Sequence, residues 1–167
     1  MEKSQINKKE FTNLLEKNRG IIHKITLMYT STASDKEDLY QEICLQLWRS
    51  VRHYRGESKF TTWLYRVAIN TAINSIRKNK RSVNTVELDP ERHYEIKDNH
   101  REQQTSLLMK AISRLNRIDR AIILLWLEEK KYEEISEIMG LTRSTVSVRL
   151  VRIRKKLEEL LKQMENE

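Results

Sequence analysis

A chain of 167 residues, 38% hydrophobic and 34% charged, fits one domain or two small ones, and its 3 Gly and 1 Pro favour helices over a turn-rich β fold. Lys plus Arg number 32 against 24 Asp plus Glu; the resulting +8 suits a polyanionic partner, either nucleic acid or an anionic membrane face. The lone Cys44 excludes a disulfide framework or a CxxC zinc site, and the longest apolar run, Ala121-Ile-Ile-Leu-Leu-Trp-Leu127, falls far short of the ~20 residues that span a bilayer. The opening Met1-Glu-Lys-Ser-Gln lacks the apolar stretch of a signal peptide, so a reduced, cytoplasmic setting without membrane insertion is expected.

Apolar residues recur with helical period from about residue 8 to 80 and again from about 105 to 162. The expectation is an all-α protein of two small helical domains, residues 1–84 and 105–167, joined by a flexible linker over 85–104. Within the first, Asp35-Lys-Glu-Asp-Leu-Tyr-Gln-Glu-Ile-Cys-Leu-Gln-Leu-Trp48 reads as an amphipathic helix. Leu39, Ile43 and Leu47 make its packed stripe. Asp38, Gln41, Glu42 and Leu45 lie opposite, with Trp48 near them. An acidic and amide face in an otherwise basic chain is a candidate docking surface for another protein, although a merely solvated face has the same composition.

Residues 54–78 follow a different pattern. From Ser58 through Val86 there is no acidic residue, while Lys59, Arg66, Arg77, Lys78, Lys80 and Arg81 are basic. Tyr54, Phe60, Trp63 and Tyr65 are interleaved with this charge. Cations that track a backbone, beside aromatic faces that accept unstacked bases, describe a surface for single-stranded or melting nucleic acid. Asn70 and Asn74, one helical turn apart, add amides suited to base edges. Plain core packing remains the competing account of Trp63 and Tyr65.

Residues 81–100 hold the sole proline, Pro90, and no sustained helical period, which defines the linker. Beyond it, residues 107–115 and 120–127 read as two supporting helices. Ile135, Ile138 and Met139 mark a short amphipathic helix. Gly140 stands where a helix end favours a left-handed residue, and Thr142 can cap the next helix. Two helices across so tight a turn describe a helix-turn-helix. At about 100° per residue, Val146, Leu150, Ile153 and Leu157 form the packed face of the second helix. Ser144, Val148, Val151 and Lys155 point the opposite way, with Ser147 and Arg152 at the edges. Between Thr142 and Lys156 lie Arg143, Arg149, Arg152, Arg154, Lys155 and Lys156 and no acidic residue, which suits the DNA major groove.

Taken together, Asp38-Leu-Tyr-Gln-Glu-Ile, Trp48, the run Tyr54-Arg-Gly-Glu-Ser-Lys-Phe-Thr-Thr-Trp-Leu-Tyr-Arg-Val-Ala-Ile-Asn70 and the closing helix-turn-helix resemble a bacterial RNA polymerase sigma factor. Order, spacing and size are similar to the extracytoplasmic-function (ECF) group, which keeps only conserved regions two and four. The resemblance implies that Asp38, Gln41, Glu42, Leu45 and Trp48 meet RNA polymerase core, at the clamp helices of its β′ subunit; the β subunit is implied as a further contact. It implies capture of a flipped minus-ten base by the loop at 54–62, carrying Tyr54, Ser58, Lys59 and Phe60 before Trp63. Arg66, Asn70, Asn74, Arg77 and Lys78 would hold the neighbouring melted bases. The helix over 143–156 would read the minus-thirty-five duplex through Arg143, Ser144, Ser147, Val148, Val151, Arg152 and Lys155; family members match at Ser147, Val148, Val151 and Arg152. Many members of the group are also held by an anti-sigma factor.

Other classes fit less of the chain. A stand-alone helix-turn-helix regulator needs a dimerisation element to match two half-sites, and leaves the aromatic–basic stretch without a purpose. An enzyme acting on nucleic acid needs a catalytic set, yet His23, His53, His93 and His100 are scattered, and no His/Asp/Glu group has metal-ligand spacing. No metal or cofactor is therefore expected, and catalysis falls to the polymerase.

Overall fold

The computed structural model describes the backbone of residues 6–82 and 100–166 and the side chains of residues 6–78 and 104–166. Every regular element among them is helical: α1 (Lys8–Tyr29), α2 (Ala33–Ser50), a single 3-10 turn (Val51–His53), α3 (Phe60–Ser82), α4 (His100–Ser113), α5 (Arg117–Leu127), α6 (Tyr132–Met139) and α7 (Arg143–Glu165). The all-α expectation holds. The chain divides into two compact units, Met1–Ser82 and Val83–Glu167. Most of the expected linker, and with it the expectation of flexibility, lies outside the described residues. Its last stretch is helical, because α4 begins at His100 rather than near residue 105. His100-Arg-Glu-Gln-Gln carries no apolar residue, so good helix formers there leave no periodic trace.

Local sequence sets most helix starts. Asn7 accepts from the Glu10 amide at 2.9 Å while the Glu10 carboxylate accepts from the Asn7 amide at 3.0 Å, a reciprocal capping box. The Thr32 hydroxyl accepts from the Asp35 amide at 3.0 Å, and the Asn116 side chain accepts from the amides of Ile118 and Asp119 at 3.1 and 2.9 Å. Such caps satisfy donors that the helix itself cannot, each stabilising by about 1 kcal/mol.

In the first unit the three helices pack against one another around a shared core. Ile22, Ile25 and Met28 come from α1, Leu39, Ile43 and Leu47 from α2, and Leu64, Tyr65, Ala68, Ile69 and Ala72 from α3. The predicted α2 stripe is therefore the buried one. In the second unit α5 is buried at six successive positions, Arg120 through Leu125, and α4, α5 and α6 each pack on α7. An arginine is tolerated there because its guanidinium donates to the carbonyl oxygens of Leu115 and Ser113 in the turn before the helix. Ala111, Ile112 and Leu115, Ile135 and Ile138, and the predicted Val146, Leu150, Ile153 and Leu157 complete this core. Met139, expected in the packed stripe of α6, is half-buried.

Candidate nucleic-acid and partner interfaces

Burial of Leu39, Ile43 and Leu47 turns the other side of α2 outward. Asp38 and Gln41 are exposed, and Leu45 and Trp48 retain 41% and 45% of their surface. Trp48 rests one side of its ring on the buried Phe11, with centroids 5.4 Å apart, which fixes the indole in place. Glu42 is half-buried and accepts from the Gln46 side chain at 2.8 Å. The result is a carboxylate–amide rim around two exposed apolar groups, an arrangement suited to docking on a basic protein surface.

The connection into α3 is short and closed. Gly56 adopts φ +68, a left-handed conformation that L side chains rarely take, and the Tyr54 hydroxyl donates to the Ser58 carbonyl at 2.6 Å. The helix begins at Phe60, so the expected loop over 54–62 ends at Lys59; Phe60, Thr61 and Thr62 form the first helical turn, with Thr62 buried. Tyr54, Phe60 and Trp63 pack ring against ring at 5.3–5.8 Å, each of them half-buried. Tyr65 is only 3% exposed and belongs to the core. The two accounts of the aromatics thus divide by residue: core packing for Tyr65, a surface cluster for the other three. From Trp63 the spacing 3, 4, 4, 3 carries one stripe along α3 through Arg66, Asn70, Asn74 and Arg77, and all four of these are exposed. Lys78 is exposed beside it, and Lys59 and the half-buried Ser58 stand at its head.

In the second unit the helix-turn-helix forms as the sequence indicates. Gly140 ends α6 at φ +65, ψ +33, and the Thr142 hydroxyl accepts from the Thr145 amide at 3.1 Å. Ser144, Val148, Val151, Arg152 and Lys155 are exposed, and Ser147 is half-buried at their edge. The six basic residues of this stretch are not equivalent. Arg149 is tied to Asp119 of α5 at 2.9 Å, and Arg143 to Glu133 of α6 at 2.6 Å. A hydrogen bond from its own amide, then the Arg143 guanidinium, hold the Glu133 carboxyl below the usual carboxylate range. Arg154 lies over the Trp126 ring at 5.2 Å.

Sequence reasoning missed Asp119 and Glu133, the carboxylates that orient two arginines of the helix-turn-helix. Asn116-x-x-Asp119 is visible as a helix start, but its partner is 30 residues away. The chemistry of all three surfaces is recognition: charge, amides, aromatic faces and apolar groups. Among the described residues no group of three His, Cys, Asp or Glu could hold a metal ion, and no helix is long and apolar enough to cross a membrane.

The chain matches Sigma-70 region 2 over residues 14–82 and Sigma-70, region 4 over residues 105–157. It is 32% identical to the ECF RNA polymerase sigma-E factor of Haemophilus influenzae, covering 92% of this chain and 88% of that protein. It is 28% identical to RNA polymerase sigma factor SigV of Bacillus subtilis, covering 91% of each. The fold is shared with the sigma factor RpoE of Bartonella quintana, solved with the anti-sigma factor NepR, at a TM-score of 0.71, 23% identity and coverage of 92% of this chain and 98% of that one. Both regions in order, with nearly a third of residues identical over nine-tenths of the length, place the chain: it belongs to the ECF family of RNA polymerase sigma factors.

Proposed function

We propose that this sigma factor, which binds RNA polymerase core and directs promoter-specific initiation of transcription, divides that work among three faces of its two units. Residues 1–84 act as the region 2 domain and residues 105–167 as the region 4 domain. The outward face of α2, with Asp38, Gln41, Glu42, Leu45 and Trp48, docks on the β′ clamp helices. The Tyr54–Phe60–Trp63 cluster and the loop before it take an extruded minus-ten base. Arg66, Asn70, Asn74, Arg77 and Lys78 hold the melted strand that continues from it, the asparagines reading base edges and the cations meeting phosphates. The outward face of α7 enters the major groove of the minus-thirty-five element. The protein does its work in the bacterial cytoplasm and performs no bond chemistry; phosphodiester formation belongs to the polymerase. An anti-sigma factor would act by covering these same surfaces.

One observation carries this assignment. The chain combines an aromatic–amide–basic stripe on α3 with a helix-turn-helix whose groove-facing stretch has no carboxylate. A stand-alone helix-turn-helix regulator has no use for the first. Stacked aromatics return about 1–3 kcal/mol per base, which offsets the few kcal/mol needed to unstack one only when the strands part. With polymerase core, the chain should therefore prefer single-stranded non-template minus-ten DNA to the same sequence as duplex, and Asn70→Ala should erode base preference within that strand. Asp38→Ala with Gln41→Ala should weaken core binding about tenfold, or ~1.4 kcal/mol, mainly through association rate. Co-purification and competition titration with short oligonucleotides at one salt concentration read both. Core binding unchanged by the double substitution, or equal affinity for single strand and duplex, refutes the corresponding face.

A further inference from the structure

The groove-facing side of α7 carries two exposed valines, Val148 at 47% and Val151 at 66%. Nothing in the fold accounts for them. A β-branched residue in a helix interior is a poorer helix former than Lys, Arg or Ala, and neither side chain is buried in return. They stand among Ser144, Arg152 and Lys155, all exposed, with Ser147 half-buried beside them, in a stretch without a carboxylate. Such a face fits DNA, and two stiff apolar groups on it fit one feature of DNA.

The major groove presents hydrogen-bonding atoms at every base pair and a single apolar group, the thymine C5-methyl. A valine placed against guanine O6 and N7, or cytosine N4, strips water from them and offers no donor or acceptor in exchange. Placed against a thymine methyl, it buries apolar surface on both sides at no such cost. Its χ1 is already restricted in the helix, so little side-chain freedom is lost. The side chains at i and i+3 are ~5–6 Å apart at Cβ. Successive base pairs rise ~3.4 Å and also turn about the duplex axis, so groove-edge groups of adjacent pairs stand farther apart than the rise, on the same scale as that Cβ spacing. The two valines therefore address neighbouring base pairs.

We propose that Val148 and Val151 read the C5-methyl groups of thymines at two neighbouring base pairs of the minus-thirty-five element, with Arg152 and Lys155 anchoring the helix beside them. The proposal rests on the assignment of α7 to that element. Each methyl is worth about a fourfold change in affinity, the equivalent of ~0.8 kcal/mol per buried methylene.

The test uses holoenzyme assembled from polymerase core and the full chain. A random-sequence duplex library is selected for binding, and each thymidine of the recovered minus-thirty-five region is then replaced singly by deoxyuridine, which removes only the methyl. Two neighbouring positions should each lose about fourfold. Replacing their T·A pairs by C·G should lose more, and 5-methylcytosine in place of that cytosine should recover part of the loss. In Val148→Ala with Val151→Ala the combined thymine-to-uracil ratio should collapse from about sixteenfold towards one. Val151→Thr, which keeps a methyl and the branched shape, should retain most of its share. A hydroxyl-radical footprint on the region together with methyl-insensitive affinity overturns the thymine proposal alone, as does a ratio that survives the double substitution. No protection of the upstream duplex overturns the assignment of α7 as well.

Discussion

Removing Asp119 from its pair with Arg149 should lower stability and raise salt-sensitive DNA binding at once, a combination that loss of folding alone cannot produce. The pair spans α5 and α7 at 2.9 Å, with side chains 19% and 35% exposed. Fully exposed ion pairs contribute about 0–1 kcal/mol, whereas hydrogen bonds to charged groups contribute about 1.5–3 kcal/mol when shielded. Partial burial puts the coupling near 1 kcal/mol. Asp119→Ala also removes a carboxylate from the first turn of α5, where the helix dipole favours it by about 0.3–1 kcal/mol, and the contact with the Asn116 side chain at 2.5 Å. The total loss should be about 1.5–2 kcal/mol. Because the chain has two units, global melting is not a single transition; amide exchange at Ile122 and Leu150 reports the second unit alone. Exchange in Asp119→Ala, Arg149→Ala and the double variant closes a thermodynamic cycle. In Asp119→Ala the freed Arg149 can reach a phosphate, so the log-log salt slope for duplex binding should steepen by up to about 0.9, and not in the double variant. A coupling within about 0.3 kcal/mol of zero refutes the energetic reasoning. An unchanged slope with the coupling intact refutes only the view that Asp119 withholds Arg149 from DNA.

The turn of the helix-turn-helix and the lone thiol give two more tests. A Cβ at Gly140 meets nothing within 4 Å, so Gly140→Ala should lose only the backbone strain of φ +65, about 1–2 kcal/mol, while Gly140→Asn should lose distinctly less; equal losses in amide exchange at Ile138 would show that something other than left-handed backbone is at stake. Burial pushes the Cys44 thiol above its ordinary pKa, offset only in part by the hydrogen bond from Tyr40. At pH 8 less of it is thiolate than in free cysteine, so iodoacetamide should modify it severalfold more slowly than free cysteine, the full rate returning in denaturant; equal rates in the folded protein would contradict this.

Much was legible in the sequence because it is set within a few residues. The stripes Leu39–Ile43–Leu47 and Val146–Leu150–Ile153–Leu157 follow from helical periodicity and are the buried ones. Gly140 and Thr142 mark the turn because a left-handed end and a side-chain cap are local requirements. The start of α4 was not legible, since helix formers without apolar residues carry no phase. Only the tertiary structure separated Trp63 from Tyr65. The two aromatics are two positions apart, so a helix turns them about 200° from each other, and which one is buried depends on where α1 and α2 lie. The same holds for Arg149 and Arg152. They are identical side chains one turn apart, yet one is held by a carboxylate 30 residues upstream and the other projects outward. Periodicity fixes the angle of each residue about its own helix, but ion pairs and burial depend on the packing of one helix on another, and that is decided by the whole core at once.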